Sequence, residues 1–205
     1  MSRRATARAP RPLRRILHAT DNDVSGTDVA LGFDSALTVA TEAVDRLHTT
    51  AASHHLVMVL EVMGRNAGWT RSRQGWPVAG TSSWSPRYRF ATRGSPPVSS
   101  NVGLVLAQNL EGLVPFEVRY VVLGHVQRGG SPTPFDRMLA TRFGTAAVAV
   151  LVDGKSGSMV ALRSAGIERV SLADVLSRPR RVDPEGERVA AARSIGTIFG
   201  DETRT

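Results

Sequence analysis

One junction near the middle of the chain, VVLGHVQRGGSPTPFDR at residues 121–137, constrains the fold more than any other feature. Residues 118–123, which lead into it, are almost wholly apolar apart from Arg119, as is typical of a strand covered on both faces in a parallel sheet. Gly129 and Gly130 then predict a turn in which backbone without side chains can approach a ligand closely. The sequence therefore predicts a strand that ends in a polar, glycine-rich corner.

A helix is predicted to follow that corner, from Pro134 through Leu151. Open α/β sheets are built from strands, turns and helices in this order, and they bind ligands at the carboxyl ends of the strands. His125 and Arg128 lie in the turn, so we expect both side chains at a binding crevice. The alternative for the same residues is a satisfied buried histidine and an arginine in a structural ion pair.

A second junction of this kind supports the α/β class. The apolar run VMVLEV at residues 57–62 predicts a buried strand, and MGRNAGW follows it. The polar turn DNDVSGTD at residues 21–28 precedes a helix that is predicted to begin at Asp34, which can cap it, and to end near His48. Further elements are predicted as a helix over 102–113, strands over 159–162 and 169–172, and a helix from about residue 185. Two strand-to-helix corners in one chain make α/β the predicted fold class.

The charge distribution limits the possible partners. The formal net charge is +8, but 11 arginines lie in residues 1–20 and 71–93, and the remainder carries 15 basic against 18 acidic residues. The positive charge is concentrated in two segments that contain no known nucleic-acid-binding motif, which argues against nucleic acid as a partner. The sequence has no cysteine for a disulfide framework and no apolar run long enough to cross a bilayer, so a cytoplasmic protein is expected.

The predicted domain organisation has three parts. Residues 1–20 form a disordered basic tail, because they are rich in arginine and interrupted by proline. Residues 21–205 form a partial α/β domain. Within it, residues 70–101 show neither helical nor strand periodicity, and such a long structureless loop is unusual in a compact domain.

Three stretches together resemble the 6-phosphofructokinase family, of the bacterial type that uses ATP or pyrophosphate. They are DNDVSGTD with the helix ending EAVDRLHTT, then EVMGRNAGW, then LGHVQRGGSPTPFDRMLATRFG, in the family's order. The resemblance covers residues 21–69 and about 102–200, and the family's N-terminal half, with its glycine-rich phosphate loops, lies outside it. It implies an incomplete phosphofructokinase-type lobe of the α/β class, with apolar faces and sheet edges that full-length relatives cover.

The resemblance also implies roles for individual residues. Asp21 matches the general base that takes the proton of the attacking sugar hydroxyl, and Arg65 supplies a fixed positive charge to the same catalytic site. The substrate-binding matches are Asp23, Met63, Gly64, Arg119, His125 and Arg128. The last three of these hold the sugar's 6-phosphate, partly across a subunit boundary, where arginine can donate two parallel hydrogen bonds. Alternatively, Asp21 and Asp23 only satisfy backbone groups of their turn.

Some departures from the family pattern affect the chemistry. Leu56 stands where the family has a phosphate-binding arginine, and a lost charged hydrogen bond costs roughly 1.5 to 3 kcal/mol. Ala19 and Thr20 replace the family's threonine and isoleucine. Mg²⁺ and ATP are cofactors by family, but the segments that bind them have no counterpart in the resemblance, and no metal ligand is assigned.

The irregular segment has a possible genetic origin. Relatives continue after the MGR corner with a helix and a buried strand, and the codons permitted for residues 70–89 allow such a sequence when they are read one base earlier. In that frame Trp76 followed by Pro77 gives alanine, in agreement with the family pattern. We hypothesise that residues 70 to about 100 are translated out of frame, which the coding DNA decides.

By the resemblance, the activity is Mg²⁺-dependent transfer of the γ-phosphoryl group of ATP to the 1-hydroxyl of fructose 6-phosphate, in glycolysis. We expect no detectable turnover from this chain alone. Two alternatives stay open: a non-catalytic sugar-phosphate-binding module or subunit that completes a homo-oligomer or a full-length phosphofructokinase, and a basic adaptor that binds nucleic acid. The sequence leaves the choice between ATP and pyrophosphate open.

Overall fold

The computed structural model describes residues 19–64, 69, 89–90, 102–177, 180–195 and 197–199. The predicted N-terminal tail up to residue 18, nearly all of the irregular segment at 70–101, and Arg65 lie outside the described residues. In the part of the chain that is described, no helix combines the length and the apolar character needed to span a membrane.

Helices and strands alternate along most of the described chain. In order they are α1 (Phe33–His54), β1 (Val57–Glu61), β2 (Arg89–Phe90), α2 (Val102–Glu111), β3 (Val118–Val122), a 3-10 helix (Gly124–Arg128), α3 (Pro134–Val152), β4 (Ser158–Arg163), β5 (Gly166–Ser171), α4 (Leu172–Ser177), α5 (Glu187–Ser194) and β6 (Ile198–Phe199). The predicted α/β class is confirmed.

The first pair of strands, β1 and β3, is parallel and ends at one edge. Val57 lies opposite Val118 and Glu61 lies opposite Val122, so the two carboxyl ends are side by side. Helix α2 precedes β3 and packs against both strands, and the Glu61 carboxylate accepts a hydrogen bond of 2.7 Å from the Gly103 backbone N–H at the start of that helix. This unit places both polar corners of the sequence next to each other.

Coverage of this sheet differs from the prediction. Val57 and Val118 are buried with Ala107 of α2, so the helix covers the first part of one face. Tyr120 and Val122 are 46% and 47% exposed, so the prediction of a β3 strand covered on both faces is wrong. The apolar composition of β3 is that of a strand in a larger sheet, whereas the described residues pair it with β1 alone.

The N-termini of the long helices α1 and α3 are fastened to each other. The buried Asp136 carboxylate accepts hydrogen bonds from the backbone N–H groups of Gly32, at 2.9 Å, and of Ser35, at 2.8 Å. Thr133 caps α3, and its hydroxyl donates to the Asp34 carboxylate at 2.7 Å. Asp34 therefore bonds to the other helix. The prediction that Asp34 caps its own helix is wrong. Helix α1 also runs to residue 54, beyond its predicted end.

The antiparallel hairpin β4–β5 supports the polar turn at residues 21–28. Leu162 of β4 packs with Leu139 and Phe143 of α3, which fixes the hairpin against that helix. Its backbone carbonyl accepts a hydrogen bond of 2.8 Å from the Asp28 N–H. The turn is thus held between α1 and the hairpin.

Candidate active site

The turn that carries Asp21 and Asp23 is shaped by Asn22 between them. Asn22 has a φ of 54°, in the left-handed region that asparagine adopts more readily than most residues. Its side chain is buried, and its Oδ1 atom accepts a hydrogen bond of 2.7 Å from the Ala30 N–H. This closes the turn, and Asp21 and Asp23 are left half-buried.

The corner after β1 is clamped by the 3-10 helix that follows β3. Gln127 is 2% exposed, and its Oε1 atom accepts a hydrogen bond of 2.8 Å from the Met63 N–H. Its Nε2 atom donates to the Met63 carbonyl at 3.3 Å. A side-chain amide is suited to this clamp because it carries both a donor and an acceptor. The two corners therefore form one structural unit, with Met63 and Gly64 half-buried.

The 3-10 helix also brings Arg128 to the carboxylate turn. The Nη2 atom of Arg128 lies 3.8 Å from the Oδ2 atom of Asp21, and the two side chains are 44% and 16% exposed. Gly130 follows with a φ of +92°, a conformation that residues with a Cβ rarely adopt. A guanidinium that is this exposed can donate to an incoming anion while it stays beside the carboxylate.

A pocket of about 270 Å³ opens beside this pair. Arg128 and Gly130 line one wall, and Thr20 and Gly32 lie among the other lining residues. Asp136 also lines it, but its carboxylate is already engaged with the start of α1. An anion in this pocket would therefore be bound by arginine rather than by the N-terminus of α1.

Arg119 and His125 form no hydrogen bond or ion pair with Asp21 or Arg128 in the described part of the chain. Arg119 is the second residue of β3, opposite Met58, and its exposed guanidinium is paired with the Glu117 carboxylate. His125 is exposed on the 3-10 helix. The structure thus joins Asp21, Met63 and Arg128 in one area and leaves Arg119 and His125 facing outward.

The comparisons with known proteins agree with the resemblance. The model of the family described as Phosphofructokinase matches residues 7–84 and 91–151, which is more than half of the chain. The chain belongs to the phosphofructokinase family.

A relative named for ATP and a relative named for pyrophosphate have the same sequence identity to the chain. It is 41% identical to the ATP-dependent 6-phosphofructokinase of Chloroflexus aurantiacus, over 93% of this chain and 63% of that protein. It is also 41% identical to the pyrophosphate–fructose 6-phosphate 1-phosphotransferase of Streptomyces coelicolor, over 88% of this chain and 63% of that one. The chain therefore spans 63% of the length of these curated relatives.

A solved structure confirms the fold. The crystal structure of a pyrophosphate-dependent phosphofructokinase from Marinobacter aquaeolei matches with a TM-score of 0.68 and 21% identity, over 83% of this chain and 54% of that one. The prediction of a partial phosphofructokinase-type α/β fold is confirmed by this match, because the chain covers only part of the larger structure.

Several residues that build the site were missed by sequence reasoning. Gln127 gave no signal, because a single glutamine in a turn has no characteristic spacing. Thr133 could have been recognised as a helix cap, since a threonine followed three residues later by an acidic residue, here Asp136, is close to a helix-start pattern. Their partners on α1 could not be found from spacing alone.

Proposed function

We propose that the chain carries the fructose 6-phosphate side of a 6-phosphofructokinase site. The reaction of the whole protein is then the transfer of a phosphoryl group to the 1-hydroxyl of fructose 6-phosphate, in cytoplasmic glycolysis. The observation that carries this proposal is the approach of Asp21 and Arg128, which come from turns far apart in the sequence and meet within 3.8 Å. Family membership supports the same reading.

The two residues have complementary roles in this proposal. Asp21 is the general base, because a sugar hydroxyl is a poor nucleophile until its proton is removed, and a half-buried carboxylate is held in one place. Arg128 binds the phosphate group of the sugar, and its charge also orients the carboxylate. The other proposed contacts are Arg65 in catalysis and Asp23, Met63, Gly64, Arg119 and His125 in substrate binding.

The outward position of Arg119 and His125 supports an oligomer. Both side chains are exposed, and neither forms a hydrogen bond or ion pair with Asp21 or Arg128 in the part of the chain that is described. Exposed apolar residues on the adjoining helix α3, Phe135, Met138 and Val148, support an interface as well. We therefore include a second copy, or a full-length phosphofructokinase that binds this chain as a subunit, among the proposed partners.

The phosphoryl donor is a separate part of the proposal. The names of the relatives support ATP and pyrophosphate alike. Within the described residues, no group of three or more histidine, cysteine, aspartate or glutamate side chains lies close enough together to hold a metal ion. The described residues therefore offer no metal site built from protein ligands alone, and the roles given to Asp21 and Arg128 do not depend on one.

Calorimetric titration with fructose 6-phosphate tests the proposal. The chain should bind this sugar phosphate and not fructose. The Arg128→Gln variant should bind it about tenfold or more weakly, because one charged hydrogen bond to phosphate is lost. The control is Arg46→Gln on α1, where the arginine is 82% exposed and, among the described residues, forms an ion pair only with Glu42. No binding by the parent chain, or an equal loss in both variants, would contradict the proposal.

A further inference from the structure

Arg180, in the segment before α5, connects three parts of the chain. Its backbone N–H donates a hydrogen bond of 2.9 Å to the Asp23 carbonyl, and its Nη1 atom donates one of 2.6 Å to the Asp28 carbonyl. Its guanidinium carbon lies 4.1 Å from the centre of the Trp69 ring, and its own carbonyl accepts a hydrogen bond of 3.2 Å from the Trp69 Nε1 atom. One residue thus contacts both ends of the carboxylate turn and a buried aromatic ring.

Trp69 makes this contact a rigid one. It is 7% exposed and packs with Phe33, the first residue of α1, which is fully buried. An arginine stacked over a buried indole gains a cation–π attraction, and the planar guanidinium can still donate hydrogen bonds at its rim. Trp69 also follows shortly after the corner at Met63 and Gly64. Arg180 therefore ties the carboxylate turn to the segment that carries the other half of the proposed site.

We propose that Arg180 is a positioning residue that holds the carboxylate turn in the orientation that Asp21 requires. It lies outside residues 7–84 and 91–151, which the family model matches, so the match assigns it no role. Its hydrogen bonds hold the backbone carbonyls of Asp23 and Asp28, two residues that follow Asp21 in the turn. The effect on ligand binding rests on the proposed function, whereas the effect on the turn itself does not.

Arg188 provides a matched control. Its guanidinium carbon lies 5.2 Å from the centre of the same Trp69 ring. No hydrogen bond or ion pair joins its side chain to the carboxylate turn in the described part of the chain. Arg180→Gln and Arg188→Gln therefore remove the same charge near the same ring, but only the first removes a bond to the turn.

Amide hydrogen exchange, measured by mass spectrometry without ligand, tests the proposal. In Arg180→Gln, exchange in peptides covering residues 19–32 should be roughly three- to tenfold faster, since one charged hydrogen bond is lost. Exchange in peptides from β1 and β3 should be unchanged. Arg188→Gln should match the parent in both regions, and Arg180→Lys, which keeps the charge but not the planar fork, should lie between the parent and Arg180→Gln in the turn.

Equal exchange in the turn of Arg180→Gln and the parent, or equal acceleration by Arg188→Gln, would overturn the proposal. If Arg180→Gln does not fold, Arg180→Lys carries the test, and the proposal then requires faster exchange in the turn alone. Fructose 6-phosphate titration of the same variants is a separate measurement. A parent chain that does not bind the sugar phosphate would defeat the proposed function, while the exchange result would still decide the role of Arg180.

Discussion

The helix corner, where α1 and α3 meet, and the β1–β3 sheet differ in how completely this chain builds them. In the corner, Asp136 is 2% exposed and accepts hydrogen bonds from Gly32 and from both the N–H and the hydroxyl of Ser35. In the sheet, Tyr120 and Val122 are almost half exposed although both are large and apolar. The corner satisfies its own polar groups, whereas the described residues leave the carboxyl end of one sheet face uncovered.

This difference divides the proposed site into two halves. The half with Asp21 rests on the helix corner and on the β4–β5 hairpin, so its geometry is set within the chain. The half with Arg119 lies on the exposed strand, and its guanidinium pairs with a neighbouring carboxylate. The structure therefore shows which of the proposed site residues are fixed within the chain and which are exposed.

The largest effect is expected from breaking the helix corner. Asp136→Ala leaves buried N–H groups without acceptors, and we expect it to lower the free energy of unfolding by about 3 kcal/mol. Asp153→Ala at the other end of α3 is the control, because within the described ranges its exposed carboxylate pairs only with Lys155, and its loss should cost less than about 0.5 kcal/mol. Urea unfolding of both variants provides the measurement. Similar losses in the two would mean that the corner is not the more strongly built region.

A smaller effect should separate two positions of the sheet. Val118→Thr places a hydroxyl in the buried cluster and should cost about 1.5 kcal/mol. Val122→Thr, four residues further along the same strand, changes a side chain that is already half exposed and should cost less than about 0.5 kcal/mol. Urea unfolding compares the two variants directly. A large cost for Val122→Thr would show that the carboxyl end of this sheet face is covered in solution.

Sequence patterns predicted the positions of helices and strands better than the burial and the contacts of these elements. The strand at β3 and the helix at α3 were located within one or two residues, because apolar runs, glycine pairs and a starting proline are local signals. The burial of β3 was predicted wrongly, because the apolar composition of a strand reflects its burial in a complete sheet. The link between Asp136 and α1 was out of reach, because it joins residues that are distant in sequence and have no shared period.

The candidate site was predictable to a similar degree. Asp21 and Arg128 were placed in one site only through the resemblance to a family, and the structure then brought them together. The residues that hold the site, Gln127 and Arg180, act through backbone groups of their partners. Backbone groups are the same at every position, so the sequence carries no complementary residue that would reveal such contacts.

The proposed site is tested most directly by a map of the amides that fructose 6-phosphate protects from hydrogen exchange in the parent chain. We expect slower exchange in residues 19–32 and 124–132 together, and an unchanged rate in the β5 strand. Protection of only one of these two segments, or protection confined to other parts of the chain, would contradict the claim that the carboxylate turn and the strand-end corner face one phosphorylated sugar.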